Sequence, residues 1–333
     1  MEARYVDMKS PLTGGKVKEV CDVEEHTFRG RMYRVHVRYY ICEDTGEQFT
    51  CDGQDDLVLN QVYNQYRVEN GFPFPEEIRA LRSHYGLKQS QISKIVGFGI
   101  NQWKNYEDGS MPSESNAKMI LTLRKKDCMK ALLECSRSTF PDKEFERLTE
   151  QIDAAGDFCK EMPGTALFYG QTRQGILNGF GEINPLRLSA MVRYLVSHCD
   201  GVCPTKLNKL MYYADFHSYR QHGRSISGLQ YRAIQYGPVP EHYDTIYDNI
   251  EGIEKRIQIL HDMECATLHV TKQAGSTSSV LSAIELQTLD TILLRYAPLS
   301  TSAIVELSHQ EPAWQKHQAD HSFMSFDEAF VIG

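Results

Sequence analysis

The segment 86–112, GLKQSQISKIVGFGINQWKNYEDGSMP, constrains this chain more than any other stretch. Gln89 opens a short amphipathic helix whose apolar positions are Ile92, Ile95 and Val96. Gly97 and Gly99 supply a tight turn, where glycine reaches positive φ at little cost. A second helix follows, with Ile100, Trp103 and Tyr106 inward and Asn101, Gln102, Lys104 and Asn105 outward. Two short helices joined by a glycine turn, with amides and a cation on the second, suit a DNA major groove. Asn and Gln pair bidentately with adenine, and Lys reaches guanine or phosphate. The expected DNA-contacting residues are Gln89, Ser90, Asn101, Gln102, Lys104 and Asn105. A helical hairpin within a bundle has similar spacing, but the turn, the polar face and the flanking helices together favour a helix-turn-helix.

The net charge of −8 argues against a nucleic-acid partner until its distribution is considered. Residues 70–126 hold nine Lys/Arg against five Asp/Glu. Residues 138–333 hold sixteen against twenty-four. Positive charge therefore coincides with the helix-turn-helix, as phosphate contact requires. The acidic remainder has another task. At 333 residues the chain calls for two or three domains. No run approaches the ~20 apolar residues of a membrane span, and Met1-Glu2-Ala3-Arg4 begins no signal peptide. A cytoplasmic protein with no membrane partner is expected. Its nine cysteines, an odd number without a regular framework, are expected as reduced thiols.

The predicted fold class is mainly α with small β elements. Residues 1–55 are the β-rich part. The run Met32–Ile41 alternates apolar and charged residues as a half-buried strand does, and Val17–Val23 is a weaker strand. Two turn clusters bracket them, Ser10-Pro-Leu-Thr-Gly-Gly15 and Cys42-Glu-Asp-Thr-Gly-Glu47. Each occupies the frame of a zinc knuckle, C-x-x-C-G, but three of the four ligand positions are hydroxyl residues. Ser and Thr hydroxyls stay protonated near neutral pH, so a ribbon without metal or other cofactor is expected. Helices are expected over 55–69, from Pro75, over 114–137 and over 141–162. Gly164–Pro185 reads as a linker or ordered loop.

A two-knuckle ribbon followed by Gly99-Ile-Asn-Gln-Trp-Lys-Asn-Tyr-Glu107 resembles the MqsA/YgiT-type antitoxins, with their Xre-type helix-turn-helix. The likeness covers residues 5 to about 125. It implies a dimeric reader of a palindromic operator, with Asn101 and Asn105 at the base-reading positions. Asn105 stands where that family often carries Arg.

The last part is helical from Leu186, with Leu188, Met191, Val192, Leu195 and Val196 on one face. Leu207, Leu210, Met211 and Ala214 form a second stripe, ringed by Tyr212, Tyr213, Phe216 and Tyr219. A short strand is expected at Tyr231–Gln235, ending in a Gly-Pro turn. Helices are expected near 241–251, 282–296, 300–308 and 311–318. By itself this pattern specifies an α-rich domain whose aromatic stripe is core. The order of Leu207-Asn-Lys-Leu-Met-Tyr-Tyr-Ala214, Ala233-Ile-Gln-Tyr-Gly-Pro-Val239 and His309-Gln-Glu-Pro-Ala-Trp314 resembles the Panacea antitoxin domain, related to SocA. That resemblance implies a domain that neutralises a co-encoded protein toxin. Tyr212, Tyr213, Tyr236 and Trp314 are the expected toxin contacts.

The motifs of zinc proteases, P-loop enzymes and serine hydrolases are missing, so no catalytic residue and no enzyme is expected. His317 and His321 have an i, i+4 spacing, for which a solvated helix is the simpler account. The expected order is a degenerate ribbon at 1–70, a helix-turn-helix domain at 71–126, a helical connector at 127–184 and a Panacea-like domain at 185–333. The expected function is that of an antitoxin binding a cognate toxin and its own operator DNA, as a homodimer. Two other functions fit the same order: a transcriptional regulator with a ligand-sensing C-terminal domain, and a proteolytic adaptor for the toxin.

Overall fold

The computed structural model describes residues 2–159, 168–169, 173–199, 201–260, 263–271 and 280–332. The chain divides into two compact units. One joins Met1–Val62 to Gly164–Gly333, and the other is Tyr63–Pro163.

The N-terminal sheet has the order β1-β2-β3-β4, all antiparallel, from β1 (Glu2–Lys9), β2 (Lys16–Phe28), β3 (Arg31–Cys42) and β4 (Gln48–Phe49). β2 and β3 make a long hairpin closed by Arg29 and Gly30, both at positive φ. Such a two-residue turn matches the right-handed twist of its strands. Helix α1 (Gln54–Asn70) follows and covers the β3 edge. Its Gln61 accepts from His36 N at 2.9 Å and donates to His36 O at 2.8 Å.

The middle unit is wholly helical: α2 (Pro75–His84), α3 (Gln89–Ile95), α4 (Gln102–Glu107), α5 (Glu114–Thr122), α6 (Lys126–Cys135) and α7 (Asp142–Ala154). One core contains Ile78, Leu81, Ile92, Ile95, Trp103 and Ile120 together with Met129, Leu133, Phe145, Leu148 and Ile152. The expected boundary at residue 126 therefore does not separate a connector. α6 and α7 turn their apolar stripes into the helix-turn-helix core. The single helix expected over 114–137 breaks at Leu123, whose side chain is fully buried.

The C-terminal part contains α8 (Pro185–Ser197), α9 (Pro204–His222), α10 (Tyr243–Asp248), α11 (Ala283–Tyr296), α12 (Thr301–Gln310) and α13 (Pro312–His317). Two hairpins accompany them, β5 (Tyr231–Ile234) with β6 (Gly237–Pro240) and β7 (Ile253–Leu260) with β8 (Met263–Val270). α9 lies at the centre, with Leu207, Leu210, Met211 and Ala214 fully buried. The second hairpin and β1 were not foreseen. The expected loop at 164–185 falls partly outside the described residues. Its described part is packed: a Cβ on Gly181 would meet Ser225 Oγ at 2.2 Å and Gly228 Cα at 2.8 Å.

The degenerate ribbon expected at 1–70 does not form a compact unit of its own, and the same packing gives the reason. A small sheet cannot bury both faces alone. Here Arg220 of α9 donates to Glu19 of β2 at 2.6 Å, and His36 of β3 stacks on Phe330 with centroids 4.2 Å apart. The sheet and the C-terminal helices are one compact unit.

Candidate functional site

In the helix-turn-helix, Lys88 caps α3 by donating its N–H to Gln91 Oε1 at 2.9 Å. Gly97 at φ 72° ends the helix, and Phe98 packs against Trp103 and Tyr106. Trp103 is the anchor of α4, fully buried, with Nε1 donating to Glu107 Oε1 at 2.9 Å. Glu107 gathers the motif. Its carboxylate also accepts from Arg82 Nε at 2.6 Å and Gln89 Nε2 at 2.6 Å, and its carbonyl accepts from Arg79 at 3.0 Å. Burial alone pushes this carboxyl up, but the donors Arg82, Gln89 and Trp103 outweigh it and hold the group below the usual carboxylate range.

Around this anchor Ser90, Asn101, Lys104 and Asn105 are exposed. Gln102 is half-buried, and Gln89 is half-buried and held by Glu107. The six expected residues thus lie on α3, on α4 and at the turn between them. Ile100 is a correction. It was expected inward, yet it is 76% exposed, because α4 begins only at Gln102 and Ile100 lies in the turn before it. Val96 is only partly buried. Sequence periodicity missed Ile100 as a surface residue because it started the helix two residues too early.

The expected toxin contacts fare differently. Tyr212 is fully buried and Tyr213 is 2% exposed. Tyr213 stacks on Tyr296 with centroids 4.1 Å apart and donates to Glu311 at 3.2 Å. Trp314 is 7% exposed, stacks on His309 and donates Nε1 to Ile234 O at 3.0 Å. These three are core, so they are corrected as surface contacts. Tyr236 alone is exposed, at the tip of the β5–β6 hairpin.

The rest of the motif is also internal. Asp215, fully buried on α9, accepts from Ile226 N and Ser227 N at 2.8 Å, from Tyr231 OH at 2.6 Å and from Ser227 Oγ. Burial raises its pKa despite these donors. Lys209, fully buried, donates Nζ to Pro238 O at 3.0 Å, and burial pushes it down to about 7. Gly237 must be glycine there. Its φ is 92°, and a Cβ would meet Ser308 Oγ at 2.4 Å and Lys209 Cε at 2.6 Å.

The two N-terminal turns share one hydrogen-bond pattern. Ser10 N and Gly14 N bond Gly15 O and Ser10 O, while Cys42 N and Gly46 N bond Glu47 O and Cys42 O, all at 2.8–2.9 Å. The turns face each other, with Thr13 Oγ1 at 3.4 Å from Cys42 Sγ. Hydroxyls of Ser10, Thr13 and Thr45 pull the thiol down to about 6. The sulfur is covered by these neighbours, but the turns lie at the rim of the sheet, so burial opposes the shift only weakly. Among the described residues no group of three or more His, Cys, Asp and Glu is placed to hold a metal. His317 and His321 do not share a helix. His317 contacts Ser322 and Glu328, and His321, at φ 54°, contacts Ala233 O.

The geometry defines a small helical module with a helix-turn-helix and a larger mainly helical domain built around a buried aromatic helix. Residues 76–133 match the family model of a helix-turn-helix domain. Residues 207–315 match the model described as antitoxin SocA-like, Panacea domain. The chain therefore carries a domain similar to SocA-like Panacea antitoxin domains together with a helix-turn-helix domain. Comparison with curated proteins and with solved structures gave no match. No described helix is long and apolar enough to cross a membrane.

Proposed function

We propose that this protein neutralises a co-encoded protein toxin and represses its own operon, without catalysing a reaction. The observation that carries the reading is the pairing, in one chain, of a Panacea-type domain with an exposed polar face on a helix-turn-helix. Asn101 and Asn105 would read bases, and Gln89, Ser90, Gln102 and Lys104 would fix the register on phosphates or neighbouring bases. Ile100, beside them, has the chemistry to meet a thymine methyl. Helix-turn-helix proteins that read palindromes act as dimers, and a homodimer in the cytoplasm belongs to the proposal. Toxin contact would centre on exposed Tyr236 rather than on the buried aromatics. Descent of residues 1–70 from an MqsA-like ribbon that lost its metal also belongs to it, supported by the matching turns.

Co-expression with the adjacent gene tests the reading. Growth rescue with co-purification of an intact partner is the expected result. Rescue accompanied by loss of the partner protein would indicate a proteolytic adaptor. Failure of rescue with undiminished operator binding would leave a ligand-responsive regulator and overturn the toxin reading.

A further inference from the structure

Where the N-terminal sheet meets α9, two buried guanidinium groups, Arg38 and Arg220, face one buried carboxylate. Glu19, 4% exposed, is the hub. It receives Arg4 Nε at 2.8 Å, Arg220 at 2.6 Å and Arg38 at 3.3 Å. A fourth guanidinium, that of solvent-exposed Arg295, stands at the edge of the cluster, 5.0 Å from the Tyr296 ring centre. Among the described residues no carboxylate other than Glu19 makes an ion pair with these four arginines. Carbonyl and amide oxygens take part of the remaining capacity. Arg4 and Arg220 both donate to Ile332 O, at 2.5 and 2.9 Å, and Arg38 donates to Gln221 Oε1 at 2.8 Å. Neutral oxygens satisfy donors but do not cancel charge. Arg220 is 6% exposed, and its Nε is buried with no hydrogen-bond partner.

Beside this cluster lies a small cavity of about 110 Å³, open to solvent on the side of Arg295 and Thr291 and lined also by Arg4, Arg220, His217 and Tyr213. It is the size for one small ion with a water or two, and too small for a nucleoside. His217 at its wall is pushed down to about 4 by burial and then by Arg220 and Arg38, so it is neutral at physiological pH and able to donate or accept. Unpaired buried charge is costly, and guanidinium forks match the oxygens of tetrahedral anions.

We propose that this cavity binds a small phosphate-type oxyanion, held between Arg4 of the sheet and Arg220 and Arg295 of the C-terminal helices. The anion would neutralise the surplus and tie β1 to α9 and α11, making the packing of sheet on helices responsive to it. This inference is independent of the toxin and of the operator.

The test is thermal unfolding and calorimetric titration of the full chain with sodium phosphate, against sodium chloride at matched ionic strength. A rise in unfolding midpoint with phosphate beyond the chloride control is expected. Arg220→Gln strips a partner from buried Glu19 and endangers folding. Arg295→Gln, whose side chain is not bonded to Glu19, is the informative variant. It should keep the phosphate-free midpoint and lose at least tenfold in phosphate affinity. Adenosine monophosphate, titrated in parallel, separates the sources of the anion. A response to phosphate alone assigns a free ion, and a response to the nucleotide assigns the phosphoryl group of a larger molecule reaching the cavity mouth. No response to either, or an unchanged response in Arg295→Gln, overturns the proposal.

Discussion

In the helix-turn-helix, Asn101, Lys104 and Asn105 lie exposed around a buried Trp103. In α9, Tyr212, Tyr213, Phe216 and Tyr219 all lie inside. Both regions match family models, and both are rich in polar or amphipathic side chains. The first motif presents its polar residues, while the second uses them to build a core. Asp215 and Glu107 show the same contrast between internal carboxylates. Glu107 is tied by Gln89 to a surface position, so its network supports the face that would touch DNA. Asp215 binds Ile226, Ser227 and Tyr231 and organises interior structure. A motif in a Panacea-type domain is therefore better evidence for a fold than for a contact surface.

The largest expected effect tests that interior role. Asp215→Ala leaves two backbone donors and two hydroxyls without their acceptor, and should cost about 3–5 kcal/mol. Urea unfolding of the purified variant measures it. A loss below about 1 kcal/mol would mean that the Asp215 network is not a folding element, and the contrast would collapse. Next comes the exposed face. Asn101→Ala with Asn105→Ala should abolish specific operator binding, at ~1–3 kcal/mol per bidentate contact, with stability within about 0.5 kcal/mol of wild type. Mobility-shift titration checks affinity, and retained toxin neutralisation would sharpen the separation of roles.

Gly237→Ala is expected to cost about 1–3 kcal/mol, from positive φ and from the clash with Lys209 and Ser308. A neutral result would show that the β5–β6 hairpin shifts freely. Lys209→Met should change stability least at neutral pH, because relief of desolvation offsets the lost hydrogen bond. Its signature is the pH profile. The folded Lys209 titrates near 7 and the unfolded one near 10.5, so the unfolded chain binds more protons between those values. Wild-type stability should accordingly gain with pH from about 7 to 10.5 through this group, and the variant should lack that gain. Denaturant midpoints at pH 7, 8.5 and 10 would reveal an unchanged slope and refute it.

Legibility in the sequence followed the range of the interactions. The helix-turn-helix was readable because its turn glycine, Gly97, and its anchor Trp103 lie within a few residues of each other. The starts of α2, α12 and α13 were readable because Pro75, Ser300 and Pro312 mark them locally. β1 and the β7–β8 hairpin were not, since these strands mix polar and apolar residues on both faces and so carry little period-two signal. Ile100 failed for a narrower reason, a helix start misplaced by two residues.

The sequence by itself determined the helix-turn-helix, the two matching turns that lack three thiolates, and the aromatic stripe of α9. Each is a pattern within some thirty residues, enforced by backbone geometry and side-chain periodicity. Only the tertiary structure decided that Tyr212, Tyr213 and Trp314 are inside, that α6 and α7 complete the helix-turn-helix core, and that Arg220 meets Glu19 from 201 positions away. Burial and charge balance are sums over residues distant in the chain. The convergence of Arg4, Arg38 and Arg220 on Glu19 leaves no periodic or local trace in the sequence.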